Sequence, residues 1–475
     1  MTAAPSEDEA VGYNFRPVER DQQYLMPPSV RDWLPEDDLV WLVLDVVDGL
    51  DLEPIRSRYR SDGWGAAAFD PALMTALLLY AYATGERSSR RIEARCRRDV
   101  AYRVLCANQV PDHATIARFR ADHEGALAGL FGEVLAVCAA AGLGALGTVA
   151  IDGTKLAADA SRDANRDAAA LDAEIHAILA EAAATDAAED AEFGPDRRGD
   201  ELPPALADRR SRLARLAEAR AQLGRAEAER EARFEADLTR RSAADAARGR
   251  AAGRLPKPDA DHRRIWQERN TTDPDSRKMK AAEGFIVGYN GQVVVAEDGL
   301  ILAAELGQVA NDVGQLGPML TAVEANVAAA GFGRRRIGTL LADAGYWSEA
   351  NFALERRGGP RFLISPRAGR PRGPSSRLPA RSGRERMAHR LARAPDADRY
   401  RRRAAIVEPV FGQLKAVRGV RRFQRRGFDA CASEWRLLCL THNLLKLWRH
   451  GRRPGTPGRP PGQPARSPRS RPRRP

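Results

Sequence analysis

A run of buried-strand character, Thr148-Val-Ala-Ile151, leads into Asp152 and Gly153, and strand patterning does not return until Phe285. What lies between them constrains the fold more than any other feature. The stretch of about 160–250 is rich in Ala and charge, with Leu206, Leu213, Leu216 and Leu223 at heptad-like spacing. Such spacing is helical. The segment from Phe193 to Pro204 holds Gly194-Pro195 and Pro203-Pro204 and splits it in two. Two long helices in an antiparallel hairpin are the simplest reading, although Arg220, Glu227 and Arg230 fall on the seam. A sheet begun at residue 148 is then completed by strands beyond a helical insertion.

Those strands are readable. Phe285-Ile286-Val287, Gln292–Ala296 and Leu300–Leu306 alternate with Asn290-Gly291 and Asp298-Gly299, which read as tight hairpin turns. Residues 315–330 are helical in pattern, and Ile337–Leu341 is a short apolar strand running into Asp343. Residues 366–399 are rich in Arg, Pro and Gly and read as a loop, whereas 400–418 and 432–449 read as helices. Ahead of the first strand, residues 28–141 read as helical. Acids follow Pro35, Asp70-Pro71 opens an apolar helix, and Pro111-Asp112 opens another carrying Arg118 and Arg120. Short helices with Arg on an exposed face suit a helix-turn-helix-like DNA reader; a helical bundle with a solvated basic face suits them equally.

Charge is unevenly placed. The 475 residues carry a formal net charge of +12. Residues 366–475 alone hold 30 Lys and Arg against 6 Asp and Glu, a net of +24, which leaves −12 for the rest. That asymmetry points to a polyanion, nucleic acid first, since clustered Arg replaces condensed counterions on phosphates. Coding bias toward Arg, Ala, Gly and Pro accounts for part of it. The last 25 residues, with 8 Pro and 8 Arg, read as a disordered tail. Five cysteines without a C-x-x-C pair argue against a disulfide frame or a zinc site and fit a reducing cytosol. The acidic start does not read as a signal peptide, and the longest apolar stretch, Ala72–Ala83, is too short to span a bilayer.

Three acids stand out by context. Asp152 is read as ending one strand and Asp343 another, while Glu408 lies on a helix face shared with Arg401 and Lys415 at seven-residue spacing. Converging carboxylates are natural ligands for Mg2+, and a pair of such ions suits phosphodiester chemistry. Singly, an Asp at a strand end is a turn or cap residue. Asp312 is read first as a helix N-cap, with a metal role the lesser reading, Asp273 and Asp275 as turn residues around Pro274, and His113 and His442 as packing or capping residues. Trp347 and Trp435 are read first as core, with base stacking the lesser reading.

Taken in order, several blocks make the chain resemble the DDE transposases of bacterial insertion sequences, in the branch with a long helical insertion after the first Asp. They are Phe15-Arg-Pro-Val-Glu-Arg-Asp-Gln-Gln-Tyr-Leu25, Trp33-Leu-Pro35, Pro111-Asp-His-Ala-Thr-Ile-Ala-Arg-Phe-Arg120 and Ile151-Asp-Gly-Thr-Lys155. Asn270-Thr-Thr-Asp-Pro-Asp-Ser-Arg277, Gly288-Tyr-Asn290, Ala342-Asp-Ala-Gly-Tyr-Trp-Ser348, Val407-Glu-Pro-Val-Phe-Gly-Gln-Leu-Lys415 and His442-Asn-Leu444 follow.

The resemblance implies an α/β chain with a ribonuclease H-like catalytic domain at 146–450, interrupted by a helical insertion at about 160–265 and an Arg/Pro-rich loop at about 366–399. An N-terminal extension (1–27) and an all-α DNA-binding domain (28–145) precede it, and a basic tail (451–475) follows. It implies Asp152, Asp343 and Glu408 as the metal-binding catalytic triad for Mg2+, with Mn2+ as a substitute. Tyr400, Arg403 and Lys415 would contact DNA phosphates, with Arg401 or Arg402 as alternatives to Arg403; Arg118 and Arg120 would contact DNA from the helical domain. The implied activity is binding of terminal inverted repeats, metal-dependent cleavage and strand transfer. The implied partners are double-stranded transposon ends and target DNA, bound by a homodimer in the synaptic complex, and the implied location is the bacterial cytoplasm and nucleoid. A non-catalytic DNA-binding regulator derived from a transposase is the alternative; a coiled-coil structural protein leaves the strands and acids unexplained.

Overall fold

Aspartate caps set the first helices of the chain. The computed structural model describes residues 29–60, 67–193, 204–247, 268–281, 284–333, 335–355, 359–366 and 382–452. The block Phe15–Leu25, the break between Phe193 and Pro204, residues 367–381 and the tail from 453 lie outside these. Asp38 accepts from Val40 N at 2.9 Å ahead of α1 (Leu39–Asp48). After the single turn α2 (Glu53–Arg56), Asp70 caps α3 (Pro71–Ala83). α4 (Ser89–Arg98) and α5 (Val100–Leu105) follow, and Asp112 accepts from Ala114 N and Thr115 N to start α6 (His113–Asp122), which leads into α7 (Glu124–Ala140). Each such cap satisfies a backbone donor that the helix itself leaves unpaired.

The first strand, β1 (Thr148–Ala157), runs through Asp152 and Gly153 instead of ending there. The short pair β2 (Asn165–Arg166) and β3 (Arg269–Asn270) flanks α8 (Ala168–Phe193) and α9 (Pro204–Ala247), which pack together through buried Leu171, Leu216, Ala219 and Leu223. Arg220, expected on a helix seam, reaches Asp172 at 2.9 Å with more than a third of its side chain exposed.

Beyond α9 come β4 (Arg277–Ala281), β5 (Gly284–Ala296) and β6 (Ile301–Gly307). Asn290-Gly291 is no turn: it lies inside β5, paired to β1 on one side and β6 on the other. The glycine serves close packing, because a Cβ on Gly291 would stand 2.9 Å from the Trp435 ring. Asp298-Gly299 does turn the chain, with Gly299 at φ 83°.

α10 (Leu316–Ala329), β7 (Thr339–Ala342), α11 (Glu349–Ala353) and β8 (Arg361–Ile364) complete the sheet. β1 is antiparallel to β5 and parallel to β7, and β8 extends the parallel side; β4 and β6 share the far edge of β5. The runs Val149–Ile151, Leu340–Ala342 and Phe362–Ile364 are wholly buried, as expected of strands covered on both faces. Part of the region read as a loop is helical: α12 (Gly383–Leu391) and α13 (Asp396–Arg401) precede α14 (Arg403–Gly412) and α15 (Phe428–Gly451).

α15 joins the halves. It packs on α3, α7 and β6, and a single hydrophobic core runs from Leu39 to Leu447. Asn443 Oδ1 accepts from Ile301 N at 2.9 Å and its Nδ2 donates to Ile301 O at 2.8 Å. Glu434, fully buried, takes Arg87 Nη1 at 3.0 Å and the amides of Gln424 and Arg425. Among the described residues no single helix is long and apolar enough to cross a membrane.

Candidate active site

Strand register brings the two aspartates level. Ala150 pairs with Leu341 on the parallel neighbour, so two residues further along each chain stand Asp152 and Asp343. Asp152 is mid-strand, and Gly153 N donates to its Oδ1 at 2.8 Å. Asp343 follows β7 at once and caps a short 3-10 turn, with Gly345 N donating to its Oδ1 at 2.8 Å. Each carboxylate is therefore aimed by a neighbouring glycine amide. Burial pushes the Asp152 carboxyl above its ordinary value; Arg403 opposes that shift and Asp343 adds to it.

Arg403, at the start of α14, donates from Nη1 to Asp152 Oδ2 at 3.0 Å. Tyr400, half-buried one helix back, bonds Ser365 and Arg403, and its phenol is pushed up mainly by burial. Lys415 Nζ donates to Lys155 O at 3.3 Å, on β1 itself. Arg403, Tyr400 and Lys415 thus gather around the Asp152 strand.

Glu408 lies on the exposed side of the same helix as Arg403. Arg403 and Glu408 are five residues apart, roughly 140° around a helix. Ile406, Val407 and Val410 take the buried side of α14 and Glu408 is exposed. The helix widens to a π-turn over Gln413–Val417, the segment that carries Lys415. Among the described residues, no three His, Cys, Asp or Glu side chains are assembled into a ready cation site.

The helical domain splits the other pair. Arg118 is exposed. Arg120 is turned inward, donating to Tyr82 OH at 3.1 Å and Arg87 O at 3.0 Å, and so it ties α6 to α3 instead of offering a surface contact. Trp435 is buried, its Nε1 donating to Gln292 O at 3.2 Å, and Trp347 is nearly so; neither offers a stacking face. His113 pairs with Glu93 at 2.8 Å, and His442 bonds Gly299 O at 3.1 Å. Asp273 is a buried brace, taking Tyr289 OH at 2.8 Å and Gly427 N at 3.3 Å.

Two amides near the aspartates escape notice in the sequence. Asn290 and Gln292 are fully buried in β5, opposite Lys155 and Gly153. Their signal is two polar residues at i and i+2 in an apolar strand, hence on one face.

Comparison with family models finds two matching segments. Residues 28–122 match the Transposase domain (DUF772), and residues 368–448 match the Transposase DDE domain. Both segments are similar to transposase domains, in an order consistent with an insertion-sequence DDE transposase. The second match takes in Arg403, Glu408 and Lys415; Asp152 and Asp343 lie ahead of it. Comparison with curated proteins gives no match, and neither does comparison with solved structures. The mixed sheet behind a helical N-terminal region is compatible with a DDE transposase.

Proposed function

We propose that this chain is a transposase that binds the terminal inverted repeats of its element, cleaves DNA there and joins the freed 3′ end to target DNA. The observation that carries the reading is the level placement of Asp152 and Asp343 on adjacent parallel strands, with Arg403 against Asp152. A ribonuclease H-like domain is supported by the order of the sheet, in which β6, β5 and β1 run antiparallel and β7 and β8 continue parallel to β1, with β4 an additional strand on the edge of β5.

Asp152, Asp343 and Glu408 are the proposed metal ligands. Oxygen-only donors suit Mg2+ or Mn2+, and the buried Asn290 Oδ1, which has no hydrogen-bond partner among the described residues, adds another such oxygen nearby. When bound, the ion supplies Lewis acidity for phosphodiester chemistry. Arg403 neutralises Asp152 and, with Tyr400 and Lys415, receives phosphate oxygens at the cleaved end. Arg118 contributes DNA contact from α6, and synapsis of two ends calls for a homodimer.

The test is plasmid nicking at the element's ends. Asp152→Asn, Asp343→Asn and Glu408→Gln should each abolish nicking while DNA binding persists. A fully active Asp343→Ala protein overturns the assignment. Wild-type protein that binds DNA without metal and never cuts it is instead a regulator derived from a transposase.

A further inference from the structure

A third carboxylate stands beside the two aspartates. Asp312 occupies the N-cap position of a 3-10 turn, Val313–Gln315, yet its side chain caps nothing. The carboxylate turns the other way. Its Oδ1 accepts from Asn290 Nδ2 at 2.8 Å and from Gln292 Nε2 at 2.7 Å.

The glycines locate it. A Cβ on Gly153 would stand 2.7 Å from Asp312 Oδ1, and a Cβ on Gly345 would stand 3.4 Å from Asp312 Oδ2 and 3.0 Å from Asp343 Oδ1. Asp312 therefore lies against both glycines whose amides aim Asp152 and Asp343. Tyr346 OH donates to Gln292 Oε1, so a chain of Tyr346, Gln292 and Asp312 links the turn after Asp343 to the strand beside Asp152.

A second observation points to a ligand. Asn290 is fully buried, and its Oδ1 has no hydrogen-bond partner among the described residues. That oxygen would lie 2.9 Å from the same Gly153 Cβ, on the side of Asp312. Buried acceptors are normally satisfied. Asn290 Nδ2 is spent on Asp312 and on Val309 O, so the oxygen beside them calls for a donor from outside the chain, such as the water of a hydrated divalent cation.

We propose that Asp312 is a further active-site carboxylate, a positioning residue that raises the affinity of the Asp152 and Asp343 pair for a divalent cation. It acts through the two glycines it touches and through the charge it adds. The inference rests on the reading of Asp152 and Asp343 given above.

Mn2+ binding to the full chain without DNA tests it, by calorimetry or by the electron-spin signal of free Mn2+. Asp312→Asn should weaken Mn2+ at least tenfold and shift the metal dependence of nicking to higher concentration, with DNA binding in EDTA unchanged. Asp312→Glu, which keeps the charge, should restore most of the affinity. If the Asn variant melts below the assay temperature, Asp312→Ser is read in its place. Asp152→Asn separates the two ideas. If it loses Mn2+ while Asp312→Asn binds as wild type, Asp312 is a packing residue and only this inference fails. If Asp152→Asn binds Mn2+ normally, the reading of the pair fails with it.

Discussion

Arg403 Nη1 stands 3.0 Å from Asp152 Oδ2, and each side chain keeps a fifth of its surface exposed. Both charges are mostly buried, so their attraction is largely spent on desolvation and the pair's net worth to stability is small. Its value lies in charge placed where a phosphate arrives. Arg403→Ala should slow single-turnover nicking by about 100-fold with little change in Tm. Arg403→Lys should recover only part of the loss, since the planar fork is missing. A rate within threefold of wild type for Arg403→Ala would remove Arg403 from the site.

Glu434 and Arg87 are buried more deeply still. Burial pushes the Glu434 carboxyl up and Arg87 opposes that. Glu434→Met and Arg87→Met each leave a buried charge without its partner, which costs about 3–5 kcal/mol. Replacing both with Met should cost much less than the two single changes added together. Urea unfolding of the four proteins measures this, and additive losses would show that the two side chains are not coupled.

What can be read from the sequence follows from which forces are local. The caps Asp38, Asp70 and Asp112 act within three residues, so their composition alone places them. The apolar runs of β1 and β7 are readable for the same reason. Asn290-Gly291 misleads because its turn propensity is overridden from a distance of 144 residues by Trp435. Gly153 likewise looks like a turn but makes room for Gln292, Asp312 and Asn290. Arg118 and Arg120 are alike in sequence, and only packing against Tyr82 decides which one faces inward. Asp312 looks like a cap because the chain does turn there, while its partners come from β5.

Gly291→Ala tests that override directly. The added methyl meets the Trp435 ring within an already filled core. Overpacking of this kind costs about 1–3 kcal/mol. Trp435→Leu, itself destabilising, should make the added Gly291→Ala nearly neutral. If Gly291→Ala alone leaves the thermal midpoint unchanged, β5 and α15 are not packed as described.

His442 predicts acid sensitivity. Its imidazole is buried and held neutral, with its pKa lowered to about 3 chiefly by burial, and Arg418, Lys446 and Arg449 push the same way. Unfolding frees it to take a proton near pH 6.5. Below that value the unfolded chain binds more protons than the native one, so the stabilisation is complete above pH 6.5 and is lost as pH falls toward 3. Between pH 7 and 4.5 the loss from this residue is about 2–3 kcal/mol. His442→Gln should flatten that part of the profile in urea titrations, whatever it costs at pH 7. An identical slope in wild type and variant would assign the acid sensitivity elsewhere.

The basic excess of the C-terminal part divides by position. Around Asp152 the cations are anchored: Arg403 on the carboxylate, Lys415 on β1. At the end of α15, Arg452 pairs with Asp37, and Trp448 Nε1 donates to Asp37 O at 2.9 Å, so these belong to the fold. Residues 453–475 hold seven arginines and no acid. Removing them should therefore leave chemistry intact and lower only the salt-dependent part of DNA affinity. The slope of log K against log salt should become shallower by about 0.9 for each phosphate that is no longer neutralised. Binding titrations from low to moderate salt, with nicking measured at saturating DNA, check both halves. Loss of cleavage at saturation would place part of the catalytic machinery in those last residues.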